Sequence, residues 1–136
     1  MKVQVRYYSR SGNTKALAEA IAKGVNTKAI SIDDNDASID ENIDILFIGG
    51  ALYAYGLDNK IKEYISSLDA SKIKKAVVFS TSWISKHSID LLKKALNKQG
   101  IDVIEDYIYF KSNPNDNELK QAENYSRDLL SNADKL

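Results

Sequence analysis

The stretch that decides the fold is VQVRYYSRSGNT, which runs from Val3 to Thr14. Its first half, Val3–Tyr8, alternates apolar with polar residues, and this period of two predicts a β-strand. Its second half is a turn rich in hydroxyl groups, and a helical pattern from Thr14 to Gly24 follows at once. Such a strand, turn and helix start is typical of a phosphate site, because the first amides of a helix lack helical partners and the helix dipole favours an anion.

The chemistry of this turn supports an anion site. Side-chain groups of Ser9, Ser11, Asn13 and Thr14 can donate to a phosphate, as can the backbone amides from Arg10 to Lys15. Gly12 lacks the Cβ that would block a close approach. An ordinary serine-rich helix cap explains the same residues without a ligand. The turn lacks the Gly-Lys-Ser/Thr ending of nucleoside-triphosphate loops.

Strand-like and helical patterns alternate along the rest of the chain. The predicted strands are Val3–Tyr8, Lys28–Ile32, Ile43–Ile48, Ala76–Thr81 and Val103–Phe110. The predicted helices are Thr14–Gly24, Leu57–Leu68, Ser88–Lys98 and Asn117–Ser131, the last capped by Asn117 or Asp116. This alternation predicts an α/β fold with a parallel, doubly wound sheet and helices on both faces, as one domain over residues 1–136.

The first strand carries an arginine that fits a two-sided buried strand poorly. Arg6 alternates with Val5 and Tyr7 on a strand that we place centrally. One interpretation is that the stem of Arg6 packs while its charged head reaches the rim, and we favour it. The other is that this face of the sheet meets a partner or is thinly covered.

The composition excludes several function classes. The chain has 136 residues, with 19 basic and 19 acidic residues, so its charge gives no reason to expect nucleic acid or an anionic membrane as partner. It has no cysteine, which excludes disulfides, thiol catalysis and cysteine-bound metal. No apolar run approaches the length that spans a bilayer. These features predict a cytoplasmic protein without membrane insertion.

Three loops follow the carboxyl ends of predicted strands, where ligands bind in such sheets. The first is the hydroxyl-rich turn, the second is Gly49–Leu57, and the third is Ser80–His87. The second and third loops carry aromatic and small polar residues. Together the three loops predict a cleft for a flat, phosphorylated aromatic molecule.

These motifs resemble those of the flavodoxin family. The turn Ser9–Thr14 is similar to that family's phosphate loop, Ile48–Tyr53 to its flavin-stacking loop, and Val78–Ser82 to the segment after its fourth strand. The last helix, within Asn115–Leu130, resembles the closing helix of short-chain members. The resemblance covers essentially the whole chain.

The resemblance implies a flavodoxin-like sheet of order 2-1-3-4-5 that binds FMN. Ser9, Ser11, Asn13 and Thr14 would hold the 5′-phosphate, and the other two loops would enclose the flavin ring. Tyr53 matches the stacking aromatic best, with Tyr55 as the alternative, whereas Trp83 either contacts the flavin or packs at the rim. The implied cofactor-binding residues are Ser9, Arg10, Ser11, Gly12, Asn13, Thr14, Ala51, Leu52, Tyr53, Ala54, Tyr55, Ser80, Thr81, Ser82 and Trp83.

The implied function is electron transfer between redox partner proteins. The alternative is a small FMN-dependent oxidoreductase, similar to quinone reductases or protoporphyrinogen oxidases. The neutral charge and the sequence Ser80-Thr81-Ser82-Trp83 both depart from electron-carrier flavodoxins, which are strongly acidic and often have Gly-x-Gly-Asp there. A local acidic cluster between Asp33 and Asp44 is either a docking face for a basic partner or, as we favour, a solvated loop. His87 lacks a second histidine for a metal site, and we expect it to be exposed or to cap a helix.

Overall fold

The computed structural model describes residues 1–53, 56–82 and 86–132, with the side chains of Leu52 and Tyr53 left out. A five-stranded parallel sheet with the strand order β2-β1-β3-β6-β7 forms its centre. The strands are β1 (Val3–Tyr7), β2 (Ala29–Ser31), β3 (Ile43–Gly49), β4 (Leu52–Tyr53), β5 (Gly56–Leu57), β6 (Ile73–Thr81) and β7 (Val103–Phe110). The helices are α1 (Asn13–Gly24), α2 (Asn59–Ser66), α3 (His87–Lys98) and α4 (Asp116–Ser131).

The sheet has the predicted doubly wound topology. Counting only its own five strands along the chain, their spatial order is 2-1-3-4-5, so the predicted order is confirmed. Two buried apolar clusters lie on its two faces. One joins α1 and α4 to the sheet around Leu17, Phe47 and Leu129, and the other joins α2 and α3 to it around Ile61 and Leu92. Because the parallel strands all end at the same edge of the sheet, helices α1, α2, α3 and α4, which follow them along the chain, begin at that edge.

The element boundaries differ from the prediction in a few places. Strand β6 begins at Ile73, three residues before the predicted start, and α2 covers only Asn59–Ser66 of the predicted Leu57–Leu68. The N-cap of α4 is Asn115 rather than Asp116 or Asn117. Its side chain accepts a hydrogen bond from the Glu118 amide while Glu118 accepts one from the Asn115 amide, so the two form a capping box.

The preferred interpretation of Arg6 is wrong, because its charged head does not reach the rim. Arg6 is 3% exposed, and its Nε donates to the Ala37 carbonyl oxygen at 2.8 Å. Its Nη1 donates to the side-chain oxygen of Gln4 and to the carbonyl oxygen of Val5. A buried charge is tolerated when its donors are satisfied. Arg6 thus ties β1 to the short 3₁₀ helix Asn35–Ala37 that follows β2.

Candidate functional site

The start of α1 is open towards the carboxyl edge of the sheet. Its N-cap is Gly12, which has φ +93° in the left-handed region and has no side chain to cap the helix. A Cβ built on Gly12 would meet nothing within 4 Å, so the space beside it is free. Glycine is needed there for the backbone conformation rather than for a tight contact.

The serine hydroxyls of the turn accept hydrogen bonds from its own backbone. Ser9 Oγ accepts from the Gly12 amide at 3.0 Å, and Ser11 Oγ accepts more weakly from the Asn13 amide at 3.4 Å. A hydroxyl that accepts in this way keeps its own proton for donation. The turn therefore presents two hydroxyl protons in a fixed backbone frame.

The first helical hydrogen bond of α1 is donated by the Ala16 amide to the Gly12 carbonyl oxygen at 3.0 Å. The amides of Thr14 and Lys15 precede it and therefore have no acceptor within the helix. The dipole of α1 adds partial positive charge at this end. Hydroxyl protons, helix-start amides and the dipole together make a site with the chemistry of a phosphate receptor.

Thr14 and Thr81 join the first loop to the third. Their hydroxyl oxygens lie 2.8 Å apart, and both residues are buried. The two residues are 67 positions apart in the sequence, at the start of α1 and the end of β6. This bond fixes the orientation of the Thr14 hydroxyl and holds the phosphate-type turn against the sheet.

The second loop forms a two-stranded antiparallel hairpin of β4 and β5. Ala51 is half-buried just before the hairpin, and Gly56 and Leu57 return the chain to α2. The predicted contacts Ala54 and Tyr55 lie outside the described residues, as do the side chains of Leu52 and Tyr53. The choice between Tyr53 and Tyr55 as the stacking ring stays a prediction.

The third loop is anchored by buried hydroxyl groups. Ser80 is fully buried, and its Oγ donates to the Gly50 carbonyl oxygen at 2.6 Å and lies 2.7 Å from Ser88 Oγ. Ser82 is also buried, and its carbonyl oxygen accepts a hydrogen bond from the Tyr109 hydroxyl. We therefore assign Ser80 the role of joining loops two and three to α3. Trp83 lies outside the described residues.

Arg10 connects the first loop to the start of α2. Its Nε lies 2.6 Å from Oδ2 of Asp58, whose other carboxylate oxygen accepts from the Lys60 amide and so caps α2. Burial by itself would raise the pKa of the Asp58 carboxyl, but the Lys60 amide and Arg10 together lower that pKa below its usual range. Asp58 is therefore a charged partner that holds the first two loops together.

Asp58, Ser88 and Tyr109 support the site but were not predicted from the sequence. Asp58 had a readable signal, because aspartate directly before a helical pattern is a common N-cap. Nothing local marks Ser88 or Tyr109, since their roles depend on residues that are distant in the sequence.

The described residues of this edge include no cluster of metal-ligating side chains. His87 is exposed at the first position of α3, as expected. Among residues 1–53, 56–82 and 86–132, no three His, Asp or Glu side chains are grouped closely enough to hold a metal ion. Within the same ranges, no helix has the length and apolar character needed to cross a membrane.

A family model described as the flavodoxin domain matches residues 4–109, which is most of the chain. The chain belongs to the flavodoxin domain family. This membership confirms the resemblance read from the sequence, and it makes FMN the cofactor. It also supports the general function of an FMN-binding electron carrier. No curated protein sequence matches this flavodoxin-domain protein significantly.

Solved structures of flavodoxins share its fold. A flavodoxin from the domain Archaea superposes with a TM-score of 0.81 at 21% identity, over 98% of this chain and 99% of that one. Oxidised flavodoxin 1 from Bacillus cereus superposes with a TM-score of 0.77 at 23% identity, over 96% of this chain and 98% of that one. The Flv1 flavodiiron core from Synechocystis sp. PCC6803 superposes with a TM-score of 0.75 at 23% identity. The match covers 98% of this chain but only 36% of the flavodiiron chain.

The residues at the start of α1 fit the phosphate group of FMN. Two hydroxyl groups retain a donor proton, two helix-start amides lack a helical acceptor, and the space beside Gly12 is open. A phosphate needs several donors around one point and little steric hindrance. This arrangement meets both needs in the flavodoxin-domain protein.

Proposed function

We propose that this protein carries electrons between redox partner proteins, with FMN held by its 5′-phosphate at the start of α1. The observation that supports this proposal is the uncapped helix start, where Gly12 leaves the first amides of α1 available to a ligand. A protein whose only task at this edge was folding would gain by capping the helix. A cytoplasmic location stays a prediction.

Three groups of donors would hold the phosphate. The hydroxyls of Ser9 and Ser11 would donate their free protons, and the amides of Thr14 and Lys15 would donate along the axis of α1. The Thr14 hydroxyl, 2.8 Å from that of Thr81, can donate to the phosphate when Thr81 donates to it. Hydrogen bonds to a charged acceptor are about twice as strong as neutral ones, which favours a dianionic group.

The second and third loops would orient the flavin ring and exclude water from it. The hairpin of β4 and β5 and the segment after β6 follow neighbouring strands of the sheet, and Ser80 joins their bases through Gly50. Bound FMN supplies one- and two-electron redox chemistry, while the protein supplies binding, orientation and electrostatics. The ion pair of Arg10 and Asp58 would hold the phosphate turn at a fixed distance from the hairpin.

Titration with FMN tests the proposal. We expect the purified chain to bind FMN, detected as quenching of flavin fluorescence and a shift of the flavin absorbance bands. Riboflavin, which lacks the phosphate, should bind much more weakly because it gains nothing from the start of α1. Equal affinity for the two flavins would contradict the phosphate assignment.

Reoxidation of the reduced protein separates a carrier from an enzyme. A carrier should pass electrons rapidly to a redox protein and only slowly to quinones. Fast, saturable turnover with a quinone and none with protein acceptors would instead favour the oxidoreductase alternative.

A further inference from the structure

The carboxyl edge of the sheet has an uneven distribution of charge. The turns after β1, β3 and β6, with the first helical turn that follows each, carry the five cations Arg10, Lys15, Lys60, Lys62 and Lys86. They carry two carboxylates, Asp58 and Asp90, of which Asp58 is buried against Arg10. Negative charge lies instead beside the outer strands, after β2 and at the start of α4. We call the five cations the basic rim.

The position of these lysines works against helix stability. Lys15 lies in the first turn of α1, and Lys60 and Lys62 lie in the first turn of α2; neither first turn contains an acidic residue. A cation at this end of a helix opposes the helix dipole and lowers the stability of the helix. Folding alone therefore does not explain the basic rim.

The charge of the rim is exposed and largely available. Lys15, Lys62 and Lys86 are exposed, and none makes an ion pair with any residue in the described parts of the chain. Lys60 and Arg10 are exceptions, since Lys60 Nζ lies 3.5 Å from Oδ1 of the exposed Asp33 and Arg10 pairs with the buried Asp58. The basic rim thus presents several cations to an approaching surface.

Two of these lysines lie beside the loops that we propose for the flavin ring. Lys62 Nζ is 4.0 Å from the position that a Cβ would take on Gly56, in the hairpin of the second loop. Lys86 lies near the end of the third loop, and its Nζ lies 3.3 Å from the Tyr107 hydroxyl. Lys62 is on α2 and Lys86 is the N-cap of α3, so a phosphate at the start of α1 does not account for them.

We propose that the basic rim docks a redox partner protein whose contact face is acidic. This inference rests on the proposed function, because it places the contact at the edge where FMN would exchange electrons. Opposite charges on two proteins steer their encounter and raise the association rate. A partner protein fits better than nucleic acid, since the whole chain is neutral, with 19 basic and 19 acidic residues. The basic rim would bind an acidic partner, whereas the acidic cluster between Asp33 and Asp44 would bind a basic one.

Electron transfer at varied ionic strength tests this inference on the FMN-loaded chain. The donor is a reduced two-iron ferredoxin with a strongly acidic surface; one electron leaves its iron–sulfur centre, which is oxidised, and reduces the flavin. We expect the second-order rate to fall by about tenfold or more as ionic strength rises from about 0.01 M to 1 M, where the Debye length shrinks from about 30 Å to 3 Å. The rate at which the reduced protein reduces basic cytochrome c should not fall as ionic strength rises.

Charge reversal locates the contact. The double variant Lys62→Glu/Lys86→Glu should lower the rate with ferredoxin about tenfold at low ionic strength. The matched control Lys98→Glu reverses the charge of an exposed lysine at the opposite end of α3. It should change the rate with ferredoxin by less than about twofold. Amide chemical shifts of the chain titrated with oxidised ferredoxin should move at the starts of α2 and α3 and stay unchanged at the start of α4.

The outcomes separate the two proposals. If the chain takes up no FMN, the proposed function fails and the redox partner fails with it. If it takes up FMN but the ferredoxin rate does not depend on salt or on the double variant, only the acidic partner is overturned. A lysine-dependent affinity for DNA or for anionic lipid vesicles that exceeds the affinity for ferredoxin would also overturn it.

Discussion

The first and last helices begin at the same edge of the sheet with opposite chemistry. Helix α4 begins at a capping box formed by Asn115 and Glu118, and its first turn is acidic, in agreement with the helix dipole. Helix α1 begins at Gly12, which offers no side chain, and its first turn contains Lys15 and no acid. One helix start is completed by its own residues, whereas the other leaves donors for a group from outside.

The two helices otherwise serve the same structural purpose. They pack on the same face of the sheet, and they approach so closely that a Cβ on Gly24 of α1 would lie 2.2 Å from the Glu123 carbonyl oxygen of α4. Local packing therefore does not explain why α4 is capped by a side chain and α1 is not. The difference teaches that the start of α1 has a glycine N-cap, which leaves donors for a ligand at a cost of roughly a few tenths of a kcal/mol relative to a polar cap.

The largest expected effect is the loss of a phosphate donor at α1. Ser11→Ala removes one hydroxyl, and a hydrogen bond to a charged group is worth about 1.5–3 kcal/mol, or roughly a tenfold to hundredfold loss of FMN affinity. Riboflavin affinity should hardly change, because riboflavin has no phosphate. Fluorescence titration with both flavins measures the two effects.

Ser131→Ala is the matched control for this variant, since it removes an exposed serine hydroxyl at the far end of α4. It should leave both affinities as they are. An equal loss of FMN and riboflavin affinity in Ser11→Ala would mean that the two helix starts do not differ in the way described.

A smaller effect is expected from the reciprocal change at α4. Asn115→Ala breaks the capping box and should lower the free energy of unfolding by about 1 kcal/mol, within the range of 0.5–2 kcal/mol seen for such caps. Urea denaturation measures it. FMN affinity should stay the same; a large loss of affinity would show that the start of α4 belongs to the site.

The smallest effect is expected from reversing the charge of residue 15. Lys15→Glu places a carboxylate in the first turn of α1 and should raise the free energy of unfolding of the FMN-free protein by about 0.3–1 kcal/mol. The same charge should weaken FMN binding by repelling the phosphate. Comparison with Asp116→Lys, which should lower stability by a similar amount, tests whether both helix starts respond to charge through the dipole.

Much of the fold could be predicted from the sequence. The alternation of strand and helix patterns gave the parallel sheet, and the strand order came from the resemblance to the flavodoxin family. The capping box at Asn115 and Glu118 was readable but was missed, because Asp116 and Asn117 are also good capping residues. The hairpin of β4 and β5 was not predicted, since strands of two residues have too short a pattern to recognise.

Two features of the site could not be read from the sequence. The bond between Thr14 and Thr81 joins residues 67 positions apart, and the pair formed by Arg10 and Asp58 spans 48. No local pattern predicts such contacts, because they depend on how β1, β3 and β6 lie side by side. The burial of Arg6 under the segment after β2 was predicted wrongly for the same reason.

The sequence by itself determined the phosphate-type turn, the order of elements and the family with its cofactor. The turn and the order of elements follow from local chemistry, namely hydroxyls and glycine before a helix and apolar residues at the periods of strands and helices. The family and its cofactor follow from the resemblance of the motifs to those of flavodoxins. Only the tertiary structure decided which serines face inward, that the start of α1 stays without a side-chain cap, and where the five cations gather. These depend on distance in space, which the parallel sheet sets by bringing the ends of separate strands to one edge.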